Sequence, residues 1–87
     1  MKTAFEEKGF KDYKYWLHVN PRILEKINDL IDSIKREGAM KGIGKPEKLK
    51  YYSGTYSRRI DEENRLIYRY SEIEVTVVSC KGHYDNI

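Results

Sequence analysis

The chain has a single cysteine, Cys80, so no disulfide can form within it. One unpaired thiol fits a reducing cytoplasm, which is the expected location. Cys80 follows a β-branched run and reads as a core thiol, not a nucleophile. Histidine is nearly as scarce, with only His18 and His83. Two histidines and one cysteine make no metal-ligand cluster, so neither metal nor cofactor is expected. No apolar run is long enough to span a bilayer, and no signal peptide opens the sequence. Repeats, low-complexity tracts and interdomain linkers are also missing. At 87 residues the chain makes one domain, 1–87, with a small core.

What is present is charge and tyrosine. Charged residues make up 36% of the chain, and eight tyrosines accompany one tryptophan. Tyrosine combines apolar area with a polar tip and is frequent on binding surfaces. The net charge is only +3, but it is unevenly placed. Residues 41–59 hold Lys41, Lys45, Lys48, Lys50, Arg58 and Arg59 against Glu47 alone, a local charge of +5 that leaves −2 for the rest. Such a segment attracts polyanions more strongly than the total charge suggests.

Residues 1–5 give a weak strand signal. Residues 6–17 read as a helix, with Phe10, Tyr13 and Leu17 on one face, Trp16 beside them, and Glu6 and Glu7 in the first turn. Asn20-Pro21 restarts a helix, asparagine as N-cap and proline at the first helical position. Ile23, Leu24, Ile27, Leu30, Ile31 and Ile34 then form a clean apolar stripe. Lys35 and Arg36 suit the C-terminal dipole, and Gly38 suits the cap. Residues 39–48 read as a loop. Strands follow at 49–52, 56–60, 65–70 and 73–79, joined by polar turns. On the third, Arg65, Ile67 and Arg69 face one way and Leu66, Tyr68 and Tyr70 the other. The expected fold class is α+β, an N-terminal helical hairpin packed on a twisted antiparallel β-sheet.

The scattered polar residues suit RNA cleavage without metal. RNA carries its own nucleophile, the 2′-hydroxyl. Cutting needs a base for that proton, cations for the phosphate and an acid for the leaving oxygen. Glu47, behind Pro46 and among Lys45, Lys48 and Lys50, is the candidate base. Arg59 and Arg65 are candidate phosphate ligands, because antiparallel pairing brings Arg65 near the Arg58-Arg59 strand. Lys45, Lys50 and Arg58 are assigned to RNA or phosphate with them, although Arg58 and Arg59 must face opposite sides and Arg58 is equally suited to a cross-strand ion pair. His83 is the candidate acid. Tyr84 would stack on a base or bond the phosphate. His18, near the end of the first helix, reads as structural.

In this order and spacing the chain resembles the YoeB/Txe family of toxins from bacterial toxin–antitoxin pairs, within the RelE-like superfamily. The resemblance rests on Asp12-Tyr13-Lys14-Tyr15-Trp16, the segment from Arg22 to Ile31, Gly42-Ile43-Gly44-Lys45-Pro46-Glu47, Leu49-Lys50, Ser57-Arg58-Arg59-Ile60, Glu63-Asn64-Arg65-Leu66-Ile67-Tyr68 and Gly82-His83-Tyr84. It implies a RelE/YoeB-like microbial ribonuclease fold and a ribosome-dependent endoribonuclease, an mRNA interferase cutting mRNA in the A site of the 70S ribosome, with contacts to ribosomal RNA. It implies a homodimer and a YefM/Axe-like antitoxin, with operator DNA reached only through that antitoxin. By position it makes Glu47 the general base, Arg65 the phosphate-stabilising arginine and His83 the general acid with Tyr84 beside it, while Lys50 and Arg59 take supporting cationic positions. Two other readings stay open: a non-nucleolytic toxin of the same fold that binds DNA gyrase, and a pure RNA- or ribosome-binding module.

Overall fold

The computed structural model describes residues 1–83. Strand β1 (Lys2–Phe5) leads into helices α1 (Glu7–Val19) and α2 (Pro21–Glu37), then β2 (Glu47–Lys48), β3 (Thr55–Arg59), β4 (Arg65–Tyr70) and β5 (Glu74–Ser79). The strands form one sheet in the order β1-β5-β4-β3-β2. The α+β expectation holds, with one refinement. Strands β2 to β5 are antiparallel, but β1 runs parallel to β5, from Lys2 opposite Glu74 to Phe5 opposite Val77, so the sheet is mixed. A helical hairpin separates β1 from the rest of the sheet, and such a crossover is what a parallel pairing requires.

Helix α2 forms where its sequence pattern places it. The Asn20 side chain accepts a hydrogen bond from the Arg22 amide, Pro21 opens the helix, and Gly38 at φ 97° closes it. Its apolar stripe buries Ile27, Leu30, Ile31 and Ile34 against Leu66, Tyr68, Val75 and Val77 of the sheet. Each such side chain contributes roughly 1.5–3 kcal/mol through burial.

Helix α1 does not bury the face expected of it. Phe10 and Leu17 are exposed, and the buried positions are Gly9, Asp12 and Trp16. Gly9 sets this rotation. A Cβ there would lie 2.3 Å from the Val77 carbonyl oxygen, so only glycine lets the helix come this close to β5. Phe10 still shields one edge of Phe5, with ring centroids 6.0 Å apart.

The opposite face of the sheet carries no helix. A smaller cluster of Leu49, Ile67 and Val78 lies there. A register shift between Ile67 and Tyr68 in the β4–β5 pairing makes Val78 the extra residue. Arg69 on this face pairs with Glu6. No helix among the described residues is long and apolar enough to cross a membrane.

Candidate active site

The helix-free face brings together three of the polar residues singled out in the sequence, Glu47, Arg59 and Arg65. Residues directly opposite in an antiparallel pair point to the same side. Glu47 is opposite Ser57, and Ser57 is opposite Ile67. One row along, Arg59 is opposite Arg65. Rows two residues apart are about 7 Å apart along a strand, so Glu47 lies diagonally beside Arg59, with Arg65 one strand further. Glu47 and Arg59 are exposed and Arg65 is half-buried. The Arg65 guanidinium donates to the Asp61 carbonyl at 2.9 Å, which aims it along the turn before β4.

The chain end is fastened to this row. The Arg65 amide donates to the Gly82 carbonyl at 2.9 Å, and the Gly82 amide donates to Asn64 Oδ1 at 2.8 Å. Asn64 is itself held by Asp61, whose carboxylate accepts from the Asn64 amide at 2.7 Å. Upstream, Cys80 is gripped on both sides. Its amide donates to Asp12 Oδ2 at 3.0 Å and its carbonyl accepts from Trp16 Nε1 at 2.8 Å. Gly82 adopts φ 84°, a turn that favours glycine. His83, the next residue, is exposed, and these bonds hold the backbone just before it against the start of β4. Tyr84 lies outside the described residues. Asp12, Trp16 and Asn64 thus position the tail, a role that sequence reading missed. The available signal was Asn64, a polar residue immediately before Arg65.

Arg58 departs from the expectation of phosphate binding. It is 0% exposed, on the helix side of β3. Its Nε donates to Tyr68 Oη at 3.0 Å, and Nη1 donates to Ser33 Oγ at 3.0 Å and to the Ile43 carbonyl at 2.9 Å. Nη2 donates to the carbonyls of Gly38 at 2.8 Å and Lys41 at 2.6 Å. With its donors engaged inside the protein, Arg58 cannot bind RNA. It clamps the loop 38–46 that leads into Glu47. Among the described residues no carboxylate forms an ion pair with the guanidinium. The C-terminal end of α2 supplies the compensating negative field, and Glu37 adds to it by accepting from Ser33 Oγ at 2.8 Å. Burial holds the Tyr68 hydroxyl above its usual titration range, against the lowering effect of Arg58. The Tyr68 hydroxyl in turn donates to the Ala39 carbonyl at 2.5 Å, closing the clamp.

The loop is shaped to fit that clamp. A Cβ on Gly42 would lie 2.1 Å from Ser33 Oγ, and one on Gly44 would lie 2.6 Å from Leu30 Cδ2. Both glycines have positive φ, and so does Lys45 at 50°. A left-handed lysine before a proline is strained backbone. It is held by the Arg59 amide, which donates to the Gly44 carbonyl at 2.6 Å. Lys45 is thereby exposed at the turn, and Glu47 of β2 is set against Ser57 of β3. The strand expected at 49–52 is instead the two-residue β2 followed by a turn, and exposed Lys50 sits in that turn. Among the described residues, no group of three or more His, Cys, Asp or Glu side chains is gathered to hold a metal ion.

Comparison with known proteins gives the family and the overall fold. A family model described as the YoeB-like toxin of bacterial type II toxin–antitoxin systems matches residues 5–84. Toxin YoeB of Escherichia coli K12 is 42% identical over 85 residues, covering 97% of this chain and all of that protein. Among solved structures, the YoeB dimer from Staphylococcus aureus superposes with a TM-score of 0.92 at 45% identity, covering 97% of this chain and 98% of that one. The toxin in a heterotetrameric YoeB–YefM complex from the same organism gives 0.89 at 47% identity, covering 94% and 95%. The chain belongs to the family of YoeB-like toxins of type II toxin–antitoxin systems.

Proposed function

We propose that this YoeB-like toxin is a metal-independent endoribonuclease that cuts mRNA in the A site of the ribosome and so stops translation. The observation that carries the reading is the single sheet face on which Glu47, Arg59 and Arg65 stand in adjacent rows, with Gly82-His83 tied to the same edge. Glu47 takes the proton of the 2′-hydroxyl. The 2′-oxygen attacks phosphorus, forming the new O–P bond of a 2′,3′-cyclic phosphate. The O–P bond to the 5′-oxygen breaks, and His83 gives that oxygen its proton. Arg65 and Arg59 hold the phosphate oxygens as charge builds there, and Lys45 and Lys50 hold flanking phosphates. Tyr84 is assigned to the base or phosphate beside His83.

Partners follow from the same membership. The relatives include a YoeB dimer and a YoeB–YefM complex. We assign this chain a homodimer and a YefM/Axe-like antitoxin, with operator DNA contacted only through the antitoxin and the cytoplasm as its compartment. The test is product chemistry. The expected fragments carry a 2′,3′-cyclic phosphate and a 5′-hydroxyl, and mRNA with a 2′-deoxy nucleotide at the cut site stays whole. Cleavage of the 2′-deoxy message would refute the mechanism.

A further inference from the structure

We propose that the turn between β2 and β3 is a nucleobase-binding subsite, with the Tyr51 ring as its stacking platform. This rests on the ribonuclease reading and adds the residue that grips a base of the RNA beside Glu47. Tyr51 is 83% exposed, more than any other large apolar side chain among the described residues. The turn beneath it is pinned. Leu49 is buried in the small cluster with Ile67 and Val78. The Leu49 amide donates to the Thr55 carbonyl at 2.9 Å, and the Thr55 amide donates to the Tyr52 carbonyl at 3.1 Å. Gly54, at φ 69°, completes the turn. An exposed ring on a fixed backbone is pre-organised to receive a flat partner.

The surroundings select the class of partner. A cavity of about 290 Å³ is lined by Glu47, Lys48, Leu49, Lys50, Tyr51 and Tyr52. Its apolar floor and two rings lie among ammonium groups, and Lys50 Nζ sits 5.9 Å from the Tyr51 ring centroid. Exposed rings interleaved with lysines suit single-stranded RNA. Every base has a face to stack, and every linkage has a phosphate for a cation. Because Glu47 lines the same cavity, a base held there is adjacent to the linkage whose 2′-hydroxyl Glu47 deprotonates.

The experiment compares wild type, Tyr51→Ala and Tyr51→Trp in single-turnover cleavage of mRNA on programmed ribosomes, over a range of toxin concentrations. Tyr51→Ala should raise the half-saturating concentration by about 5- to 150-fold, the worth of one base–aromatic stack. Tyr51→Trp, which keeps a flat ring, should stay within about threefold of wild type, and the alanine variant should melt at the wild-type temperature. Tyr51→Ala cutting like wild type overturns the platform. So does Tyr51→Ala that cuts normally but loses affinity for the antitoxin or for a second copy, which would make the turn a protein contact. Binding to ribosomes carrying 2′-deoxy mRNA is measured in parallel. If wild type cuts nothing while Tyr51→Ala still weakens that binding at least fivefold, the nuclease reading fails and the subsite stands. If neither cutting nor binding responds to Tyr51, the subsite fails.

Discussion

Replacing Arg58 with alanine should cost this protein a large share of its stability, although the residue sits in a surface-like Arg-Arg doublet. The substitution strips the donors from three carbonyls, those of Gly38, Lys41 and Ile43, all within 2.9 Å of the guanidinium. Each of these part-buried acceptors left without its donor costs up to about 1–3 kcal/mol. Relief from burying a charge offsets part of this. The net loss is therefore about 3–5 kcal/mol, against a total stability of roughly 5–15 kcal/mol for a domain of this kind. For a chain of this length each kcal/mol lowers the melting temperature by about 4–8 °C, so the alanine variant should melt at least about 12 °C below wild type, if it folds. Arg58→Lys keeps the charge but not the planar fork and should lose about half as much. Thermal melts followed by circular dichroism give these values, and hydrogen exchange should show the loop 38–46 opening first. An Arg58→Ala protein melting within about 3 °C of wild type would refute the clamp.

Three further outcomes are expected. Burial, followed by the nearby Asp12 charge, pushes the Cys80 thiol from 9.0 up to about 12, and burial also raises Tyr68. The folded state then keeps protons that the unfolded chain releases, so stability is full below pH 9 and falls as pH rises from about 9 toward 12, by up to about 1.4 kcal/mol per unit for the thiol. Urea midpoints at pH 7.5, 9 and 10 check this, and a Cys80→Ala variant should show a flatter profile. Asn64→Ala removes the bond to the Gly82 amide together with the exposed side-chain bonds to Asp61, so cleavage should fall about tenfold or more while the melting temperature drops by about 2–12 °C, because the part-buried bond to Gly82 contributes about 0.5–1.5 kcal/mol and the exposed ones little. If Lys45, Lys50, Arg59 and Arg65 are the four phosphate contacts, log affinity for RNA should fall against log salt with a slope of about −3, and a slope near zero would remove this face from RNA binding.

The legible parts of the fold were those with strong local signals. Helix α2 shows its cap, its first-position proline and its apolar stripe in the sequence, and all three act as read. The pairing of Arg59 with Arg65 follows from a short turn and strand alternation. The rotation of α1 was hidden because its sheet-facing position is a glycine chosen for close approach to Val77, and patterning by large apolar residues passes over it. Arg58 was hidden for a related reason. Arginine is expected outside, yet Arg58 shares its side of the strand with Tyr56 and Ile60, both packed on the main core. That parity, taken over residue type, would have placed it inside. The parallel pairing of β1 is a long-range contact with no local signature in four residues. In the candidate site, Glu47, Arg59, Arg65 and His83 were legible as chemistry. The bonds from Asp12, Trp16 and Asn64 that hold the chain end were not, because they join residues as many as 68 positions apart.

The most direct test of the central claim is mRNA cleavage mapped on programmed ribosomes with wild type and His83→Ala side by side. The account expects cuts confined to the decoding site with wild type, and a rate lower by about 10²–10⁴ in the variant, the usual contribution of a positioned general acid. Cuts of equal rate from both proteins, or ribosome binding by wild type with no cut at all, would contradict it.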